Sequence, residues 1–349
     1  MTSYPLLMAY ERHLRAARAL SPATVRNYVV DVGPFVEYLE GQGLELGNKA
    51  EGLRRFVERN GASRAAREYR ALVRDYVAWL GAEPRHGGKG IAPRSIARTL
   101  AALRAFVRWL IDDGKLPDAP LWAPRSGMLR RFAPKIPRTL PATVSVREAA
   151  ELVEAPRARI EPRHNAEDGG ERRLALALRD AAIMELLYGA GLRVSEVVGL
   201  DVGDVAPVKR SVRVLGKGAK ERQAPLGRPA AAAVKFYAQH GRVALARAGA
   251  DGSALFLNAS GGRLSQRSVQ SMVRSYAARA GLDKRIHPHV LRHTYATHLL
   301  DGGADLRIVQ ELLGHSTPVA TQVYTHVSRG EARRVYMNAH PLARNSPSG

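Results

Sequence analysis

Residues 117–141 read PDAPLWAPRSGMLRRFAPKIPRTLP, from Pro117 to Pro141, with six prolines interleaved with Arg125, Arg130, Arg131, Lys135 and Arg138. Prolines at that density prevent a helix and stiffen an extended connection. The stretch therefore predicts a linker between a domain over 1–116 and a second over 142–349. The chain's 349 residues also exceed the roughly 250–300 at which a single core stops growing. The basic residues of the linker suit a strap laid along phosphates.

Charge extends the same pattern to both sides of the linker. Lys plus Arg number 54 against 32 Asp plus Glu, a formal net charge of +22. Before Lys135 there are 22 basic and 13 acidic residues; from Lys135 onward there are 32 and 19. Both halves are basic, which points to a polyanionic partner shared by two folded parts, with nucleic acid ahead of a membrane surface. The chain is 45% hydrophobic and 25% charged, enough apolar material for packed cores. Cysteine is absent, which excludes disulfides, thiolate metal sites and a cysteine nucleophile. No stretch reaches the ~18 apolar residues of a membrane span, and Glu11, Arg12 and Arg15 come too early for a secretory leader. A cytoplasmic location is expected.

The N-terminal part reads as four or five helices. Ser21-Pro22 is an N-cap with a first-turn proline, and Val25, Tyr28, Val29, Val32, Val36 and Leu39 recur at helical spacing, with Pro34 as a possible kink. A short pattern over Leu53–Val57 and a stronger one over about Ala65–Leu80 follow, then a Gly/Pro-rich loop over Gly81–Gly90. A further helix is expected from Ser95 to Asp113-Gly114. Its apolar face holds Ile96, Leu100, Leu103, Phe106, Val107 and Leu110, and Arg94, Arg98, Arg104 and Arg108 point away. Trp79 and Trp109 are expected in the core.

The C-terminal part is mixed. Leu174–Leu187 predicts a helix broken at Gly189 and Gly191, and Arg193–Val198 a shorter one. Ser211–Leu215 and Arg222–Leu226 alternate as the strands of a hairpin around Gly216-Lys217-Gly218-Ala219. Helices are expected again from Gln266, over His289–Leu300, Leu306–Leu313 and Arg329–Asn338, and residues 161–172 read as a polar surface loop.

Two familiar site patterns fail. Gly88-Lys89 lacks the glycine spacing and the Ser/Thr of a phosphate loop. His289 and His293 share a helix face, but Val290 stands where a zinc protease has glutamate, and no metal site is expected. What remains is a set of cations and one tyrosine at element ends and in turns: Arg193, Lys217, His289, Arg292, His315 and Tyr324. Taken singly each has an ordinary structural explanation; their combination and local sequence carry the case for function.

The local sequences are Gly189-Ala190-Gly191-Leu192-Arg193-Val194-Ser195-Glu196, Gly216-Lys217-Gly218-Ala219-Lys220-Glu221-Arg222, Pro288-His289-Val290-Leu291-Arg292-His293-Thr294-Tyr295-Ala296-Thr297-His298-Leu299, Leu313-Gly314-His315-Ser316 and Val323-Tyr324-Thr325-His326. In order and spacing they resemble the catalytic boxes of the tyrosine recombinase (phage integrase) family, specifically its Xer type, with the XerC branch nearest. Leu20-Ser21-Pro22-Ala23-Thr24 and Arg94-Ser95-Ile96-Ala97 resemble the family's helical core-binding domain more weakly. Residues 41–65 and 161–172 have no counterpart in that pattern.

The resemblance implies a mainly α fold with a small β-sheet. Its parts would be a SAM-like helical core-binding domain and an α+β catalytic domain, together forming a C-shaped DNA clamp. Arg193 and Arg292 would hold the scissile phosphate, His289 and His315 would donate to it, and Tyr324 would attack phosphorus to form a 3′-phosphotyrosyl bond. His289 would be the base for the tyrosine proton, and Lys217 the general acid for the departing 5′-oxygen. For Glu196 two readings stay open, a partner orienting the cationic site or an ordinary helix ion pair. Arg94, Arg98, Arg104, Arg130 and Arg131 are candidate DNA contacts. The covalent ester conserves the energy of the broken bond, so no ATP, metal or other cofactor is implied.

The implied partner is double-stranded DNA, held as two duplexes by a homo- or hetero-tetramer. A second Xer recombinase and an activating DNA translocase are further possible partners. The segment from about Arg329 to Pro341 would contact a neighbouring subunit. The expected role is chromosome dimer resolution at a Xer site, with integration of a mobile element as the alternative. A type IB topoisomerase uses similar chemistry but lacks this box continuity and helical N-terminal domain. A DNA-binding protein without cleavage would have lost at least one of the six positions, and none is lost.

Overall fold

The computed structural model describes residues 4–17, 20, 22–44, 46–47, 49–82, 91–116, 132, 134–135, 143–159, 170–216, 221–246, 252–282, 286–314 and 329–344. The chain divides into two units, Met1–Thr139 and Leu140–Gly349. Of the proline-rich stretch 117–141, only Phe132, Pro134 and Lys135 are described.

The first unit holds helices α1 (Pro5–Ala17), α2 (Pro22–Gly41), α3 (Glu51–Ala82) and α4 (Pro93–Asp112). Helix α2 continues through Pro34; Val30, whose carbonyl loses its partner there, has an exposed side chain. The two expected helices over 53–80 are one, α3, of 32 residues. A lone helical glycine, here Gly61, costs only about 1 kcal/mol against alanine. Burial of Leu53 at one end and of Tyr69, Val73, Tyr76 and Leu80 at the other outweighs it. Helix α4 starts at Pro93, two residues ahead of the expected Ser95, because a proline without an N–H fits a first turn. It ends where Gly114 takes φ +68°. Trp109 is buried against Tyr10 and Phe106, while Trp79 is half-buried beside Tyr38 and Tyr76.

The second unit begins with α5 (Val146–Glu154), whose Ser145 and Glu148 form a capping box. Helix α6 (Gly170–Met184) runs into a π-helical turn over Glu185–Gly189, and α7 (Val194–Gly199) follows. A three-stranded antiparallel sheet comes next: β1 (Val205–Ala206), β2 (Ser211–Leu215) and β3 (Glu221–Pro225), in the order β1-β2-β3. The hairpin register pairs Val212 with Ala224 and Val214 with Arg222. The third strand, β1, was not expected; two residues are too few to show a period.

Helix α8 (Arg228–Phe236) continues through a π turn, Tyr237–Gly241, into α9 (Arg242–Leu245). Then come α10 (Gln266–Arg279), α11 (Pro288–Asp301), α12 (Leu306–Leu313), α13 (Arg329–Ala339) and α14 (Pro341–Arg344). The architecture is mainly helical with one small sheet. Helix α13 is part of its own unit's core through Ala332, Tyr336 and Ala339. Gly302 at the end of α11 is needed there, since a Cβ would lie 2.3 Å from the Ala339 carbonyl oxygen. No helix among the described residues is long and apolar enough to cross a membrane.

A candidate active site around Glu196

The site starts from the turn that follows α6. The π turn ends at Gly189, and Gly191 takes φ +61°, a conformation that favours glycine. The Tyr295 ring lies so close that a Cβ on Gly191 would meet its Cδ1 at 2.4 Å. The chain then delivers Arg193 to the N-terminus of α7, where its backbone N–H donates to Glu196 Oε2 at 2.8 Å. A carboxylate at the third helical position is what an N-terminus favours.

Glu196 is the hub. Its side chain is 3% exposed and gathers three guanidiniums. Arg193 Nη1 donates to Oε1 at 2.7 Å; Arg222 Nη1 and Nη2 donate to Oε1 and Oε2 at 2.7 and 3.1 Å. Arg292 Nη1 stands 3.7 Å from Oε2. Burial alone would raise the Glu196 carboxyl, but the hydrogen bonds from Arg222 and the Arg193 backbone outweigh it and hold it below its usual value. Glu196 pairs with Arg193 three residues earlier and also meets Arg222 and Arg292 from elsewhere in the chain.

The same three arginines meet the end of α12. Arg222 Nε donates to the Leu312 carbonyl at 3.4 Å, Arg292 Nη2 to that of Leu313, and Arg193 Nη2 to that of Gly314 at 3.3 Å. These are consecutive carbonyls at a helix C-terminus, where orphan acceptors and the helix dipole favour cations. Gly314 closes the helix at φ +65°, and a Cβ there would lie 2.9 Å from Arg222 Cδ and Nε.

Arg292 is the most enclosed of the three. It lies in the first turns of α11, and its Nη1 also donates to the Gly191 carbonyl at 2.5 Å. Burial and the neighbouring Arg193 lower its pKa to about 10, so it remains a cation at neutral pH. Arg193 keeps a third of its side chain exposed and Arg222 about a sixth. One carboxylate against three guanidiniums leaves surplus positive charge in a partly dry site, which suits a phosphate-type anion. No group of three or more potential metal ligands occurs among the described residues.

The structure thus brings together Arg193, Glu196 and Arg292 of the expected residues. His289 stands exposed on α11 one turn before Arg292, its ring centroid 5.9 Å from that of His287, whose pKa is lowered by burial and by His289. Lys217, His315 and Tyr324 lie outside the described residues. Their chain neighbours bear on the site: β2 and β3 flank 217–220, and Gly314 immediately precedes His315. Arg222 was not singled out from sequence, although period-two alternation puts it on the inward face of β3 with Ala224.

Among the candidate DNA contacts, Arg94 is exposed and Arg104 half-buried on α4. The Arg98 guanidinium is held by Asp31, a buried residue, through bonds of 2.8 and 2.9 Å. Arg130 and Arg131 lie outside the described residues.

Comparison with known proteins follows the same division. Residues 166–331 match the Phage integrase family, and residues 7–84 match its N-terminal SAM-like domain. The chain is 38% identical over 346 residues to "Tyrosine recombinase XerC" of Myxococcus xanthus, covering 98% of this chain and 100% of that protein. It is 36% identical over 342 residues to "Tyrosine recombinase XerD" of Mycobacterium tuberculosis, covering 97% and 98%. Among solved structures, the XerH site-specific recombinase bound to its difH substrate superposes with a TM-score of 0.61 at 18% identity, covering 97% of this chain and 83% of that one. That likeness shows a shared fold.

Proposed function

This chain belongs to the phage integrase family and is a tyrosine recombinase of the Xer type; from that premise we propose that it resolves chromosome dimers by cutting and rejoining duplex DNA at one specific site. The observation that carries the chemistry is the set of guanidiniums from Arg193, Arg222 and Arg292, fixed by Glu196 and the end of α12.

In the proposed reaction the scissile phosphate binds to donors of Arg193 and Arg292, with His289 and His315 adding to them. The Tyr324 hydroxyl oxygen attacks phosphorus and gives its proton to His289. The bond from phosphorus to the 5′-oxygen breaks, and that oxygen takes a proton from the Lys217 ammonium. Charge building on the non-bridging oxygens meets donors already oriented, which is where most of the rate acceleration arises. The 3′-phosphotyrosyl bond is then attacked by the 5′-hydroxyl of the partner strand, reversing each transfer. No nucleotide hydrolysis is needed, since one phosphoester replaces another.

DNA is the proposed partner, held as two duplexes by four protomers, with a second Xer recombinase and a translocase as further candidates. The site of action is the chromosome in the cytoplasm. What supports the chromosomal role over integration of a mobile element is the full-length likeness to proteins named XerC and XerD.

The test is covalent capture. The protein is incubated with nicked fragments of its own genome, non-covalent complexes are stripped with detergent, and the retained DNA is sequenced beside a Tyr324→Phe control. One inverted-repeat chromosomal site, absent with the control, is the expected result. Capture at many unrelated sequences, or within a mobile element only, contradicts the proposed role.

A further inference from the structure

Tyr336 lies in α13, beyond Tyr324 in the chain, and is wholly buried. Its hydroxyl donates to the Gly189 carbonyl at 2.5 Å. The Gly227 backbone lies against the same hydroxyl, so close that a Cβ on Gly227 would stand 2.9 Å from it. Gly189 ends the π turn that leads to Arg193; Gly227 follows β3, which carries Arg222. One phenol therefore bridges the two chain segments whose arginines share the Glu196 carboxylate. Burial raises its pKa well above the ordinary value, so it stays a neutral donor.

Gly227 is tied to Arg222 through β3, whose residues pair with β2, and through the Leu226 N–H on the Arg210 carbonyl at 2.9 Å. From Gly189 to Arg193 the backbone passes through Gly191 at φ +61°, steadied by the Tyr295 ring and by Arg292 on its carbonyl. The hydroxyl of Tyr336 supplies the fixed point at the other end of that turn. Catalytic donors must be held within a fraction of an ångström, and groups that act through them produce rate effects far from the chemistry.

We propose that Tyr336 is a positioning residue for DNA cleavage: its hydroxyl sets the spacing between the turn that carries Arg193 and the strand that carries Arg222. This rests on Arg193 being a ligand of the scissile phosphate. Helix α13 thereby links the segment that follows the nucleophile to the cations that receive the phosphate.

The test uses single-turnover cleavage of a synthetic nicked duplex of the sequence that the parental protein captures. It is made once with the natural phosphate and once with a methylphosphonate at the scissile position. The methylphosphonate is uncharged, so its cleavage depends much less on exact guanidinium placement. Tyr336→Phe removes the hydroxyl and keeps the ring. Gly227→Ala keeps Tyr336 and displaces the hydroxyl, at a φ of −63° that alanine adopts freely. Both variants are expected to bind the duplex as the parent does, to cleave the phosphate about tenfold or more slowly, and to cleave the methylphosphonate within about twofold of the parent. If Tyr336→Phe does not fold, Gly227→Ala carries the same test. Parental rates on phosphate, or equal losses on both substrates, overturn the inference. Arg193→Ala is run alongside: if it cleaves phosphate at the parental rate, the reading of Arg193 falls and the inference with it.

Discussion

Glu196 and Arg222 are joined by two parallel hydrogen bonds, of 2.7 and 3.1 Å, between the first turn of a short helix and the second residue of a strand. A carboxylate with one arginine would be a neutral pair. Here Arg193 and Arg292 share it, and all three guanidiniums also donate to successive carbonyls of Leu312, Leu313 and Gly314. The cluster is preorganised: its positive charge is oriented before any anion arrives.

Removing the hub should cost stability as well as activity. Glu196→Ala leaves three guanidiniums without their carboxylate, and breaking a buried ion pair from one side costs about 3–5 kcal/mol. Urea unfolding at pH 7 measures it; a loss below about 1 kcal/mol would sink the hub description. Because the folded Glu196 carboxyl lies below its usual value, its contribution is present in full above the unfolded pKa of about 4.5 and fades as pH falls through the folded value. The gap between parent and Glu196→Gln should therefore narrow in acid.

Gly314→Ala should be as damaging as a change in an arginine. A left-handed φ strains any L side chain by about 1–3 kcal/mol, and the new methyl would press on Arg222 Cδ and Nε. The expected outcome is loss of DNA cleavage with binding retained, read by covalent adduct yield and by gel shift. Cleavage at the parental rate would contradict the packing of Arg222 on this glycine.

Glu185 gives the fold an opposite pH dependence. It is buried in the π turn, and burial raises its pKa from 4.5 to about 7, with Arg157 only partly opposing this. The folded state holds that proton where the unfolded state has released it, so stability falls as pH rises from about 4.5 through about 7 and is not regained above. Glu185→Gln lacks this slope. Relative to the parent it should gain on the order of 3 kcal/mol between pH 4.5 and 8, measured by denaturant unfolding at each pH. A difference independent of pH would show that Glu185 titrates normally.

Arg94 and Arg98 should separate. Arg94 is exposed, so Arg94→Ala is expected to leave stability unchanged and to lower the salt slope of duplex binding by about 0.9 if it meets a phosphate. Arg98 holds Asp31, and Arg98→Ala should destabilise the first unit by about 1–3 kcal/mol through the orphaned carboxylate. Thermal unfolding beside salt-dependent binding decides; identical behaviour of the two variants would contradict the Asp31 assignment.

What was legible in the sequence was what repeats. The apolar spacings of α2, α4, α11 and α12 and the alternation of β2 place those elements within a few residues. Arg193, Glu196 and Arg292, singled out from their local sequences, lie together in the structure. Less visible was anything set by partners distant in the chain. Arg222 looks like a hairpin residue until Glu196, 26 residues earlier, receives it. Helix α3 reads as two because Gly61 lowers local propensity, while the burial that sustains the helix comes from other elements. The strand β1 and the π turn at Glu185–Gly189 are too short for any period to register.

In the proposed reaction Tyr324 exchanges its phenolic proton for a DNA phosphate in a site organised by Glu196. Mass spectrometry of the protease-digested covalent adduct reads that bond. A single peptide containing Tyr324, carrying a nucleotide through its 3′-phosphate, is the predicted result. An adduct on another residue, or one attached through a 5′-phosphate, would contradict it.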